Sequence, residues 1–197
     1  TLHITHYTLH ITHYTLHITH YTLHITLKKI GLDMDMTVGE HGNGILNHRK
    51  AIGAGYKITS ETVMKLRRKW KFATAFAVTT TPSIADGAIY FPGSNGMLYA
   101  LEEDTGEVRW CQNLTTLLGD QVSTFARATP VVVLDSPLLL VGLSGPPVIL
   151  ALDRLAGGFL IWRSVYLDIA NLAIITMSGT VYEGYYLHIA FLLFIFN

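Results

Sequence analysis

Two stretches in the middle of the chain match each other. The first, TPSIADGAIYFPGSNGMLYALEEDTGEVRW, occupies residues 81–110, and the second, TPVVVLDSPLLLVGLSGPPVILALDRLAGGFLIW, occupies residues 129–162. Each opens on Thr-Pro and passes through short apolar bursts broken by Gly, Pro, Asn or Asp. Each closes on Ala-Leu, an acidic turn, Gly and Trp. A repeat of this size holding several short strands is the unit of a β-propeller, one copy per blade.

The second copy is almost wholly apolar from Val131 to Leu152. Asp135-Ser136-Pro137 and Ser144-Gly145-Pro146-Pro147 interrupt it, and a helix would break at both places. The runs left over, 131–134, 138–143 and 148–152, with 159–162 after a glycine turn, predict four strands. Their unbroken apolar character predicts burial on both faces. The first copy divides alike, near 83–85, 88–91, 97–101 and 107–111. Asp86-Gly87 and Asn95-Gly96 supply hairpin turns. Trp70, in LRRKWKF, reads as the end of a preceding unit, and residues 175–190 read as the first two strands of a following one. Trp70, Trp110 and Trp162 are expected to pack between blades.

The flanks differ in kind. Residues 1–26 are TLHITHY three times, then TLHIT, identical letter for letter. Repeats that pack diverge as they meet different neighbours, so this segment is expected to be a low-complexity tail. Thr, Ile and Tyr favour strand, although a period of seven flips the faces from copy to copy. On a helix the histidines would form one stripe able to take Zn, Ni or Cu. Residues 27–58 are rich in Gly and polar residues, carry neither a phosphate-loop nor a dinucleotide pattern, and predict a flexible connector. Residues 59–190 carry the blade pattern. Residues 191–197 are an apolar end, and even the stretch 185–197 is too short to span a bilayer.

Charged residues make up 14% of the chain and balance, Lys plus Arg 14 against Asp plus Glu 14. That gives no electrostatic footprint for nucleic acid. Cys111 is the only cysteine, which excludes an internal disulfide and a paired-cysteine zinc site. No secretory signal is visible. Asn113-Leu114-Thr115 forms a glycosylation sequon, and localisation stays open.

The segment ALEEDTGEVRW closely resembles the A-x-D-x-x-T-G-x-x-x-W signature of pyrroloquinoline-quinone (PQQ) repeats. ALDRLAGGFLIW is a degraded copy, with Ala156 in place of Thr and one extra residue. ITSETVMKLRRKW is similar to the lead-in of quinoprotein alcohol dehydrogenases. The order of this lead-in, FATAFAVTTTPSIADGAIYFPGSNGMLYAL, RATPVVV and ITMSGTVYEG most resembles plant polyvinyl-alcohol-dehydrogenase-like proteins. The resemblance covers residues 58–190. It implies an all-β fold: an incomplete, truncated PQQ-type propeller of about two full four-stranded blades plus partial blades.

Members of that family are rings of blades with PQQ and Ca on the axis, and the quinone takes a hydride from an alcohol while a carboxylate acts as base. The resemblance therefore implies PQQ and Ca as cofactors and a small-molecule alcohol as substrate. Residue by residue it carries over Arg127, in RATP, and Thr176, in ITMSG, as cofactor contacts. A guanidinium fork suits the carboxylates and carbonyls of the quinone. No catalytic carboxylate can be carried over, and no metal ligand. Glu102, Glu103, Asp104 and Asp153 read as turn residues of the repeat. The expectation is a fragment of a PQQ-dependent alcohol-oxidising dehydrogenase that is not competent as this chain. The alternatives are a non-catalytic propeller interaction module and a non-functional product of a truncated gene. A few blades cannot enclose an axial pocket unless several copies assemble into a ring.

Overall fold

A computed structural model describes residues 14–18, 21–29, 59–119, 124–166, 173–182 and 185–192. In chain order the strands are β1 (Tyr14–Ile18), β2 (Tyr21–Lys29), β3 (Ser83–Ala85), β4 (Ala88–Pro92), β5 (Met97–Glu102), β6 (Val108–Asn113), β7 (Val131–Val132), β8 (Leu138–Gly142), β9 (Ile149–Asp153), β10 (Phe159–Arg163), β11 (Ala173–Ile174), β12 (Thr180–Tyr182) and β13 (Tyr185–Leu192). The helical elements among the described residues are a 3₁₀ turn at Val63–Lys65 and a five-residue helix, α1 (Leu114–Leu118). The fold is all-β: two four-stranded antiparallel blades, β3-β4-β5-β6 and β7-β8-β9-β10, and a third sheet with the path β1-β2-β13-β11, β12 pairing β13.

Turn chemistry sets the strand ends. Asp86 and Gly87 take φ of 49° and 69°, the two positive values of the tight hairpin that joins strands without splaying them. In the second blade the corresponding turn is longer, closed by Val133 N–H donating to Leu138 O (3.0 Å), and Asp135 alone takes a positive φ, 52°. The β4–β5 turn closes through Gly93 N–H donating to Met97 O (2.8 Å), with Asn95 Oδ1 accepting from Met97 N (3.2 Å). Helix α1 was not expected. Asn113 caps it, its Oδ1 accepting from Thr115 N (3.0 Å) and Thr116 N (3.2 Å). Leu114 and Leu118 are buried, so capping and tertiary burial together form a helix from a weak helix-forming sequence.

Alternation along the inner strands feeds two cores at once. Leu139, Val141, Leu150 and Leu152 of the second blade pack with Ala88, Tyr90, Leu98 and Ala100 of the first. Leu140, Ile149 and Ala151 face the other way and pack with Ile175, Val181 and Tyr186 of the third unit. The continuous apolar runs are thus strands buried on both faces. The outermost strands, β6 and β10, alternate between exposed and half-buried residues.

The repeat signature is the inter-blade fastener. Trp70 Nε1 donates to Glu103 O (2.8 Å), and Trp110 Nε1 donates to Arg154 O (3.0 Å). Glu103 and Arg154 hold the same place in ALEEDTG and ALDRLAGG. A Cβ at Gly106 would lie 2.6 Å from the Trp70 ring, and one at Gly158 would lie 2.7 Å from the Trp110 ring. Each indole therefore lies flat against the turn of the next unit, and only glycine lets it come so close. The extra residue of the degraded copy leaves Gly158 in the place of Gly106. Trp162 packs against the second core.

The third unit holds the two expected strands, β12 and β13, joined by Thr180↔Leu187 and Tyr182↔Tyr185, and gains β11. It also takes in part of the N-terminal repeat. β1 and β2 form an antiparallel pair, and β2 runs along β13 from Lys29↔Tyr185 to His24↔Ala190. The boundaries drawn at 26 and 190 thus fall inside strands, and the helical histidine stripe does not form over β1 and β2. Most of the connector, 30–58, and the end, 193–197, lie outside the described residues.

Candidate functional site

Three chain segments enter their units at the same point: 77–79 before the first blade, 125–127 before the second and 175–176 before the third unit. The loops between the second and third strands of the blades hold them. Ser94 N and Oγ both donate to Ala77 O, at 2.9 and 2.7 Å. Ser144, in the same place one blade on, donates from its N–H to Phe125 O (2.8 Å) and from its hydroxyl to Ile175 O. Ser144 is buried, so one residue, through its backbone N–H on one side and its hydroxyl on the other, ties together the two segments that carry Arg127 and Thr176.

These segments line one cleft of about 600 Å³, formed by Thr79, Ser94, Phe125, Ala126, Arg127 and Thr176. Arg127 and Thr176 are brought together there. Arg127 is exposed, and its guanidinium lies over the Phe125 ring at 5.1 Å from the centroid. Among the described residues it meets no carboxylate; the ion pairs there belong to Lys69, Arg109 and Arg154. Its donors are therefore available to an anion, and the ring beneath offers a stacking face. Thr176 is half-buried and adds a hydroxyl.

Thr79, Ser94 and Phe125 were missed in the sequence because Thr, Ser and Phe carry no distinctive chemistry. The repeat itself held the signal. Thr79 stands two residues before Thr81 as Arg127 stands two before Thr129, so aligning the copies marks Thr79 as a candidate for the same cleft.

The acidic residues of the signature lie at the other end of β5. Glu102 takes Arg109 in a two-pronged pair, Nε to Oε1 at 2.5 Å and Nη2 to Oε2 at 2.8 Å. That hydrogen bonding holds the Glu102 carboxyl below its ordinary range. Asp104 pairs with Lys69 and is lowered likewise, first by the hydrogen bond and then by the charge. Asp153 Oδ1 accepts from Leu155 N and Ala156 N, closing its own turn. Arg154, buried between the blades, lies 2.6 Å from Asp86 Oδ2 through Nη1 and donates from Nη2 to Ser136 O (3.0 Å). Nη1 has no hydrogen-bond partner, so that close approach is an ion pair without hydrogen-bond alignment. None of these groups reaches the cleft.

The lining fits the anionic, planar part of a quinone cofactor: a free guanidinium, an aromatic face and hydroxyls. It does not fit a Ca ion, which takes six to eight oxygen ligands including carboxylates. Among the described residues no Asp or Glu lines the cleft, and no three His, Cys, Asp or Glu side chains gather.

No protein-family model matches the chain, and no curated protein matches it. Among solved structures it is similar to the quinohemoprotein alcohol dehydrogenase from Comamonas testosteroni, with 25% identity and a TM-score of 0.39 over 44% of this chain and 13% of that one. It is similar to BamB from Moraxella catarrhalis, with 20% identity and a TM-score of 0.47 over 61% and 37%. It is also similar to the quinohemoprotein alcohol dehydrogenase ADHIIG from Pseudomonas putida HK5, with 22% identity and a TM-score of 0.45 over 57% and 17%. In each case the matched part is well under half of the other chain.

Proposed function

We propose that this chain contributes part of the wall of a PQQ-binding propeller of the quinoprotein alcohol dehydrogenase type, most like the plant polyvinyl-alcohol-dehydrogenase-like proteins. One observation carries the reading: Arg127 and Thr176, singled out by their motifs alone, line one cleft with Thr79. The signature ALEEDTGEVRW supports it, since its Gly and Trp serve as blade fasteners here. Arg127 would hold a quinone carboxylate or carbonyl, Phe125 would lie against the ring plane, and Thr79 and Thr176 would add hydroxyl contacts. When bound, the quinone supplies the hydride-accepting chemistry.

A second reading, a non-catalytic binding platform, is favoured by the lining itself. A general base must sit within hydrogen-bond reach of the proton it takes, and among the described residues the cleft is lined by neither carboxylate nor imidazole. One experiment separates the two. The purified chain is incubated with PQQ, with and without Ca, then desalted and assayed for retained quinone absorbance and for dye-linked alcohol oxidation. Retention that Arg127→Ala abolishes, together with turnover, establishes the dehydrogenase. Retention without turnover establishes the binding platform. No retention in either condition overturns both.

A further inference from the structure

We propose that Ser144 and Ser178 are positioning residues for the cleft: they join the entry segments of the second blade and the third unit in one frame, which fixes Arg127 against Thr176. What the cleft holds rests on the quinone reading; the frame does not. In strand pairing the second blade is one sheet and the third unit another, so among the described residues no strand ladder sets the distance between the two segments. Both segments also lie outside strands, Arg127 ahead of β7 and Thr176 after β11. Where such backbone is buried, its N–H and C=O groups must find partners elsewhere.

Two serines supply those partners. Ser144 donates from its N–H to Phe125 O (2.8 Å) and from its hydroxyl to Ile175 O. Ser178 returns the tie from the third unit, its hydroxyl oxygen accepting from Thr129 N (2.9 Å). Arg127 stands between Phe125 and Thr129, and Thr176 stands between Ile175 and Ser178. Each cleft residue is thus bracketed by two anchor points, and both brackets are closed by the same pair of serines. Ile175 is 0% exposed and Thr129 4%, so loss of either serine hydroxyl strands a backbone group away from water.

The first blade is built differently. Ser94 holds the place of Ser144 but spends both donors on Ala77 O of its own unit. The first and second units are tied instead through Ser83, whose hydroxyl donates to Pro130 O, beyond Thr129 from Arg127. Thr79 therefore reaches the cleft independently of the frame, whereas Arg127 and Thr176 reach it together. For a ligand that touches both, the frame sets their separation before binding, and groups already in place bind more tightly than groups that must first be ordered.

The test pairs a cofactor-free readout with a binding one. Amide exchange of the unliganded full chain is followed by NMR. Ser144→Ala leaves Thr129 N–H and its partner Ser178 untouched, yet should speed exchange at Thr129 by roughly two- to tenfold, the worth of one net hydrogen bond, because the frame opens as a unit. Ser178→Ala should do the same to Ser144 N–H, and it serves where Ser144→Ala does not fold. Ser94 N–H, in the first blade, should exchange as before. Unchanged exchange at the distant tie, or equal acceleration at Ser94, overturns the frame. Affinity for PQQ then reads the site. Thr176→Val should weaken binding in the parent but change it by less than about twofold in a Ser178→Ala background, where Thr176 is no longer held against Arg127. Thr79→Val should cost the same in both backgrounds, and Ser178→Thr, which keeps the hydroxyl, should bind as the parent does. An equal cost for Thr176→Val in both backgrounds overturns the positioning role. A parent chain that binds no PQQ overturns the quinone reading, and amide exchange still decides the frame.

Discussion

Gly158 offers the sharpest measurement of how the blades are fastened. Its φ is +76°, and a Cβ there would stand 2.7 Å and 2.8 Å from two carbons of the Trp110 ring and 3.0 Å from Gln112 Cγ. Carbon atoms in contact sit about 3.5–4.0 Å apart, so the indole must retreat by about 1 Å. It is pinned by its hydrogen bond to Arg154 O and packs 5.9 Å from the Tyr90 ring. Gly158→Ala therefore meets about 1–2 kcal/mol for an L-residue in the left-handed region and about 1–3 kcal/mol for overpacking. A further 1 kcal/mol or so follows if the hydrogen bond goes. With that bond lost the total is about 3–6 kcal/mol, roughly 6–24 °C in a chain of this length. Gly119 is the control, with φ +76° and nothing within 4 Å of an added Cβ. Gly119→Ala should cost only the backbone term, roughly 2–8 °C. Thermal unfolding followed by circular dichroism measures both. Repeating Gly158→Ala in a Trp110→Leu background completes the cycle, and there its cost should fall to that of Gly119→Ala. Equal shifts for the two glycines, or an unchanged cost without the indole, would refute the reasoning.

Ser144→Ala removes the hydroxyl that ties Ile175 O to the second blade; it should cost about 1–3 kcal/mol in a denaturant titration and weaken quinone retention, while leaving the Phe125 contact through the backbone. Burial raises the Tyr186 phenol above its ordinary value of 10.0, so its contribution to stability is complete below that pH and fades as pH climbs toward the raised value. Alkaline unfolding should accordingly begin above about pH 10, and Tyr186→Phe should shift its midpoint upward. The pair with Arg109 lowers Glu102 from its ordinary 4.5, so its stabilisation is present above that value and lost as pH falls below it. Arg109→Leu should move the Glu102 carboxyl titration, read by NMR, up toward 4.5.

The blades were legible because their signals are local. Asp86-Gly87, Asn95-Gly96 and Asp135-Ser136-Pro137 mark turns by their backbone chemistry, and the runs between them can only be short strands. Helix α1 was not legible, because Leu114-Thr115-Thr116-Leu117-Leu118 has weak helix propensity and owes its form to the Asn113 cap and two buried leucines. The pairing of β2 with β13 joins residues far apart in the chain. Alternation can say that each is a strand, but register between them follows from contacts that no local pattern encodes. The cleft was half legible. Arg127 and Thr176 stand in recognisable motifs, whereas Phe125 matters only because the guanidinium lies over it, and Ser144 only because its hydroxyl crosses to the next unit.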